Sequence, residues 1–227
     1  MSERRLSGLS SMATRRILAD LARDYESHTG APVEIRSMGG VEAAKLARAG
    51  EATDIVVLAS KVMGALEAEG HLAKGETRGF ARSEIGIAVR AGLALPSIAD
   101  ETAVRQAMLN ARMICYSTGP SGDHLKALCE KWGVPLTRAL VAPPGVPVAT
   151  LVANGEADLG FQQLSELIDQ PGIEIAGPLP PEIQAVTVFS AGISTNSQHP
   201  EGARAFIAYL ASAKTADAKR RHGMEPA

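Results

Sequence analysis

Residues 33–59 read VEIRSMGGVEAAKLARAGEATDIVVLA, and their pattern decides the fold class. Val33 to Arg36 alternates apolar and charged side chains, the period-two signature of a strand. Val41 to Ala49 reads as a helix closed by Gly50. Ile55 to Ala59 is a continuous apolar run, suited to a strand buried on both faces of a parallel sheet. Strand, helix and strand in this order form one βαβ unit, and its first turn is the glycine-bearing Ser37-Met38-Gly39-Gly40.

The same plan extends outward. Leu6 to Leu9 reads as a strand, followed by an amphipathic helix with Ile17, Leu18, Leu21, Ala22 and Tyr25 on one face and a stop at Gly30. Beyond Ala59 a helix from Lys61 to Glu69 closes at Gly70. Alternation of this kind predicts a parallel sheet with crossover helices, in which ligands bind beyond the carboxyl ends of the strands. The turns at those ends hold Ser10 and Ser11, Ser37 with Gly39 and Gly40, and Ser60.

A second α/β unit begins with the strand Glu84 to Arg90. It continues with a helix around Val104 to Ala111, strand Met113 to Tyr116, helix Asp123 to Trp132, strand Arg138 to Val141, helix Val148 to Asn154 and strand Leu159 to Phe161. The run Ile183 to Ile193 is extended, and helices Glu201 to Ala211 and Thr215 to His222 end the chain. Packing of those two helices on the first sheet predicts two crossings, near Phe80 to Ile87 and near Gln184 to Ser190, and hence a double hinge. Residues 1–82 with 187–227 form the first expected lobe and residues 83–186 the second.

Composition narrows the function. The 227 residues are 45% hydrophobic with a mean hydropathy of +0.03, enough for two small cores and too polar for a membrane protein. Lys and Arg total 23 against 25 Asp and Glu, a balance that argues against a nucleic-acid partner and requires any ligand charge to be met locally. Neither a signal-peptide run near Met1 nor a spanning segment stands out, so the chain as written reads as cytoplasmic; a leader removed ahead of Met1 would make it periplasmic. Cys115 and Cys129 lie among apolar neighbours and read as buried free thiols, with a disulfide between them left open.

The turn from Tyr116 to His124, YSTGPSGDH, joins an apolar strand to a helix. Its backbone N–H groups with Ser117, Ser121 and Gly122 can face an anion at the helix N-terminus; the plainer alternative is an ordinary N-cap by Ser121. The glycines form neither a phosphate loop nor a dinucleotide fingerprint, and Ser121 lacks a nucleophile elbow. The five histidines have no zinc-ligand spacing, so neither metal nor cofactor is expected. His124 is a candidate proton carrier or a solvated first-turn residue. Arg82 can fork onto a carboxylate or serve the surface. Gln162 and Gln163 present amides at a strand end, or else help cap the short helix Leu164 to Ile168.

The block VATLVANGEADLGFQQLSE at Val148 to Glu166 resembles the type II periplasmic binding-protein superfamily, in its molybdate-binding-like branch. Supporting blocks are Ser10 to Thr14, Ser37 to Gly40, Thr53 to Ser60, and GPLPPEIQAVTVFSAGI at Gly177 to Ile193, so the resemblance covers nearly the whole chain. It implies a two-lobed α/β fold that closes on one small anion, held by hydroxyls and amides at Ser10 or Ser11 and at Ser37. A tyrosine usual in molybdate binders falls near Gln163, and this departure points away from molybdate. The QQLSE form and the GPLPP stretch resemble a sub-branch that includes aconitate isomerase.

Two expectations follow. One is a monomeric substrate-binding protein for an oxyanion or organic polycarboxylate, delivering its ligand to the membrane component of an ABC transporter. The other is a cytoplasmic isomerase of an unsaturated di- or tricarboxylate, with His124 or Glu166 as proton carrier.

Overall fold

The computed structural model describes residues 5–143 and 145–227. The chain divides into two compact units, one of Met1–Arg82 with Val188–Ala227, the other of Ser83–Thr187.

The first unit runs β1 (Leu6–Ser11), α1 (Arg15–Thr29), β2 (Val33–Met38), α2 (Gly40–Arg48), β3 (Ile55–Ala59), α3 (Ser60–Ala68) and β4 (Arg78–Ser83). The second contains β5 (Ile85–Arg90), α4 (Glu101–Asn110), β6 (Ile114–Tyr116), α5 (Pro120–Trp132), β7 (Ala139–Val141), α6 (Val148–Ala153), β8 (Leu159–Gln163), α7 (Leu164–Leu167) and β9 (Ile173–Pro178). The first unit is completed by β10 (Thr187–Ile193), α8 (Pro200–Leu210), α9 (Ala216–Arg221) and β11 (Glu225–Pro226).

The first sheet has the order β11-β4-β10-β3-β1-β2. Strands β1, β2 and β3 are parallel, as βαβ crossovers require, whereas β10 runs antiparallel to β3. Two apolar layers cover the faces. Helix α1 buries Ile17, Leu18, Leu21, Ala22 and Tyr25 beside Phe206, Ile207 and Leu210 of α8. On the other face α2 and α3 bury Ala43, Ala44, Ala47, Met63 and Leu66 against Val56 and Leu58. Helix α1 ends where Gly30 turns left-handed (φ 72°) and its N–H reaches the Glu26 carbonyl.

The second sheet has the order β7-β6-β8-β5-β9. The parallel strands expected are present in both units, and each sheet also carries antiparallel strands: β10 beside β3 in the first, and β5 beside β8 in the second. The sequence reading also missed β4 and β9. Cys129 packs with Leu125 and Trp132, while Cys115 packs with Val148 and Val152, and both thiols are free. Burial pushes the Cys115 thiol up to about 12, which leaves it an inert core residue. Among the described residues no helix is long and apolar enough to cross a membrane.

Candidate functional site

In the first unit the serines lie in strands rather than in the turns expected for them. β1 extends through Ser11, and β2 through Met38, so Ser10 and Ser37 occupy paired positions of neighbouring parallel strands. Their hydroxyl oxygens are 2.7 Å apart. Ser10 is 0% exposed and its second acceptor, the Ser11 carbonyl, is a longer 3.3 Å away. Either hydroxyl can donate in this pair; when Ser37 donates, Ser10 can donate to the Ser11 carbonyl, and when Ser10 donates, the Ser37 proton is released for another acceptor. Ser10 therefore holds Ser37 in position more than it meets solvent.

Ser11 is the unusual residue. Its hydroxyl is buried and has no hydrogen-bond partner. Such a group costs about 1 to 3 kcal/mol unless something else satisfies it. Helix α2 starts against it: a Cβ on Gly40 would lie 3.7 Å from the Ser11 Cβ. No side chain caps the N-cap residue Gly39, and the opening N–H groups of a helix lack internal partners. A buried free hydroxyl, a half-buried serine and an open helix N-terminus thus meet at the carboxyl ends of β1 and β2, an arrangement suited to an anion.

Ser60 differs from the sequence expectation. Its hydroxyl donates to the Val188 carbonyl at 3.0 Å and lies 2.6 Å from the Ser190 hydroxyl. With its one proton used on β10, Ser60 fastens α3 to the sheet. Ser190 was not singled out in the sequence; its partner is 130 residues away, and only the preceding strand pattern was visible. Arg82 is exposed near the end of β4, opposite Glu225 of β11.

In the second unit α5 begins at Pro120, so Ser121 and Gly122 are in its first turn, not before it. The N-cap is Gly119, at φ 111°, without a side-chain cap, which removes the reading of Ser121 as N-cap. Ser121 is buried and Ser117 half-buried. Gly122 is imposed by packing, because a Cβ there would stand 1.9 Å from the Ser117 carbonyl oxygen.

Gln162 and Gln163 end β8, each 3% exposed. Gln163 is the N-cap of α7 but makes no side-chain cap bond, so helix capping does not account for it. Instead its Nε2 donates to Thr187 Oγ1 at 2.8 Å. Gln162 Nε2 donates to Glu166 Oε2 at 2.7 Å. The carbonyl oxygens of both amides are buried and unpartnered. Gln163 shares the strand face of Phe161, which packs with Leu125 and Leu128 of α5, and Phe161 is level with Tyr116, just ahead of the turn into α5. His124 is committed to packing: its Nε2 lies 2.7 Å from the Ile183 carbonyl and must carry the proton that joins them. Among the described residues no cluster of three or more His, Cys, Asp or Glu could hold a metal ion.

Two α/β units, with the chain returning to the first and polar groups gathered at strand carboxyl ends, define a solute-binding protein of the type II periplasmic class. The solved structures agree on the fold. The periplasmic molybdate-binding protein of Azotobacter vinelandii superposes with a TM-score of 0.77, covering 96% of this chain and 98% of that one at 21% identity. The sulfate-binding protein SubI of Mycobacterium tuberculosis H37Rv gives 0.78, covering 98% and 86% at 12% identity. At these identities the likeness concerns fold alone. In sequence, the chain is 37% identical to an aconitate isomerase of Pseudomonas sp over 97% of its own length and 87% of that protein's. The chain belongs to the bacterial extracellular solute-binding protein family, whose model matches residues 6–225.

Proposed function

We propose that the protein binds a small anion, an organic carboxylate in preference to molybdate, at the carboxyl ends of β1 and β2. The observation that carries this reading is the Ser11 hydroxyl, buried without a partner beside Ser37 and the open start of α2. Ser11, Ser37 and the amides at Gly39 and Gly40 are the donors; Ser10 orients Ser37. In the second unit Ser117, Ser121, Gly122, Gln162 and Gln163 form the polar set. Calorimetric titration of Ser11→Ala and Ser37→Ala, with anions first chosen by thermal shift, tests the assignment. Each variant is expected to bind about tenfold or more weakly, since a bond to a charged group is typically worth ~1.5 to 3 kcal/mol. Wild-type affinity in both would remove it.

This reading pairs the protein with the membrane component of an ABC transporter and an extracytoplasmic location. Recovery of the mature chain in an osmotic-shock fraction supports it; retention with the cytosol counts against it.

The 37% identity to an aconitate isomerase over 97% of the chain favours a second reading, isomerisation of an unsaturated polycarboxylate. The same donors would then stabilise enolate-like charge, and Glu166, held by Gln162, is a better placed proton carrier than His124, whose Nε2 is spent on Ile183. Interconversion of cis- and trans-aconitate followed by NMR decides between turnover and binding alone.

A further inference from the structure

We infer that the solute carries an O–H donor, which the strand-end amides of β8 read. The inference rests on the proposed binding of a small anion and adds to it the chemistry of the solute group that the end of β8 would take.

Each amide has already used its N–H end. Gln162 faces the Glu166 carboxylate, which only accepts, so the Nε2 end must point there and the carbonyl end is fixed as an unpaired acceptor. Swapping the amide would set oxygen against oxygen. Gln163 donates to a threonine hydroxyl and likewise leaves its carbonyl without a hydrogen-bond partner. Both oxygens are shut off from bulk water by a strand end on which each residue is 3% exposed. A fully ionised tetrahedral oxyanion has nothing to give these carbonyls and is repelled by them. A solute hydroxyl, or a carboxylic acid kept in its protonated form, satisfies them. Thr187 can also turn its proton toward Gln163, so that this amide alone can shift between acceptor and donor, whereas Gln162 cannot.

Calorimetry with matched solutes separates the two sources of O–H. Succinate against malate and tricarballylate against citrate differ by a hydroxyl; trans-aconitate compared at about pH 5.5 and about pH 7.5 varies the protonation of a solute without one. We expect an advantage of about fivefold or more, either for the hydroxylated member at both pH values or for the hydroxyl-free acid at the lower pH. Gln162→Met or Gln163→Met, each close in size and lacking the acceptor, should reduce the advantage below about twofold. Glu166 on α7, Glu84 just ahead of β5 and Asp123 and His124 on α5 are also ionisable, so the pH arm is read as the difference between wild type and the methionine variants, which share them. Anion binding without any O–H advantage in the wild type, or an advantage that survives in both variants, would overturn the inference and leave the binding reading intact. No binding by any anion would overturn both.

Discussion

Ser11 keeps a hydroxyl that the fold buries and does not satisfy, and this makes opposite predictions for binding and for stability. Ser11→Ala should weaken anion binding while leaving the resistance of the ligand-free protein to urea unchanged or raised by up to about 1 kcal/mol, because an unpaired buried polar group is removed. A loss of stability would show that the hydroxyl has a structural partner. Asp54 presents the contrary case. It is 4% exposed and accepts from the Ser7 N–H and hydroxyl, the Ser197 hydroxyl and the N–H groups of Gln198 and His199. Burial alone would raise its pKa, but the donors from Ser7, Ser197 and His199 outweigh it and hold it below the usual 3.8. A depressed folded-state pKa stabilises above the unfolded value, so this contribution is present at neutral pH and is lost as the pH falls below about 4 through the folded pKa. Asp54→Asn should cost about 3 kcal/mol in urea unfolding at neutral pH, and much less in acid.

At the level of elements, helix starts set the positions of the candidate donors. Helix α5 presses so closely on the turn before it that a Cβ on Gly122 would lie 1.9 Å from the Ser117 carbonyl oxygen, and backbone cannot yield as a side-chain tip can. Gly122→Ala is expected to destabilise by about 3 kcal/mol and to lower the emission midpoint of Trp132, which ends the same helix. A midpoint equal to the wild type would mean the helix start can shift. The elements legible in the sequence were those with strong periodicity: the α1 face and the Ile55 to Ala59 run both appear where the pattern put them. β4 and β9 were not legible. β9 is an edge strand ending in Gly-Pro, its alternation stops after Ile173, Glu174 and Ile175, and its pairing with β5 is interrupted by an irregularity at Ile87 and Ala88. The serines were displaced from turn to strand for a related reason: hydroxyl residues read locally as turn formers, while the parallel ladder of β1 with β2 carries pairing on through Ser10 and Ser11.

Each unit buries apolar clusters of its own, and the single tryptophan lies in the second unit. Trp132 emission therefore reports the second unit, whereas far-UV circular dichroism averages both. Asp54→Asn, in the first unit, should lower the dichroism midpoint more than the Trp132 midpoint; equal shifts would show that the units unfold together. By itself, the order of residues determined the α/β class, the approximate places of most helices and parallel strands, and the polar character of the strand ends, because these follow from periodicity among near neighbours. Only the tertiary structure decided what each polar side chain has left to offer. Ser60 is spent on Val188 and Ser190, His124 Nε2 on Ile183 and Gln163 Nε2 on Thr187, while Ser11 keeps its hydroxyl and Gln162 and Gln163 keep their carbonyl oxygens. A hydrogen bond depends on distance in space, and these partners stand from 24 to 130 residues apart along the chain.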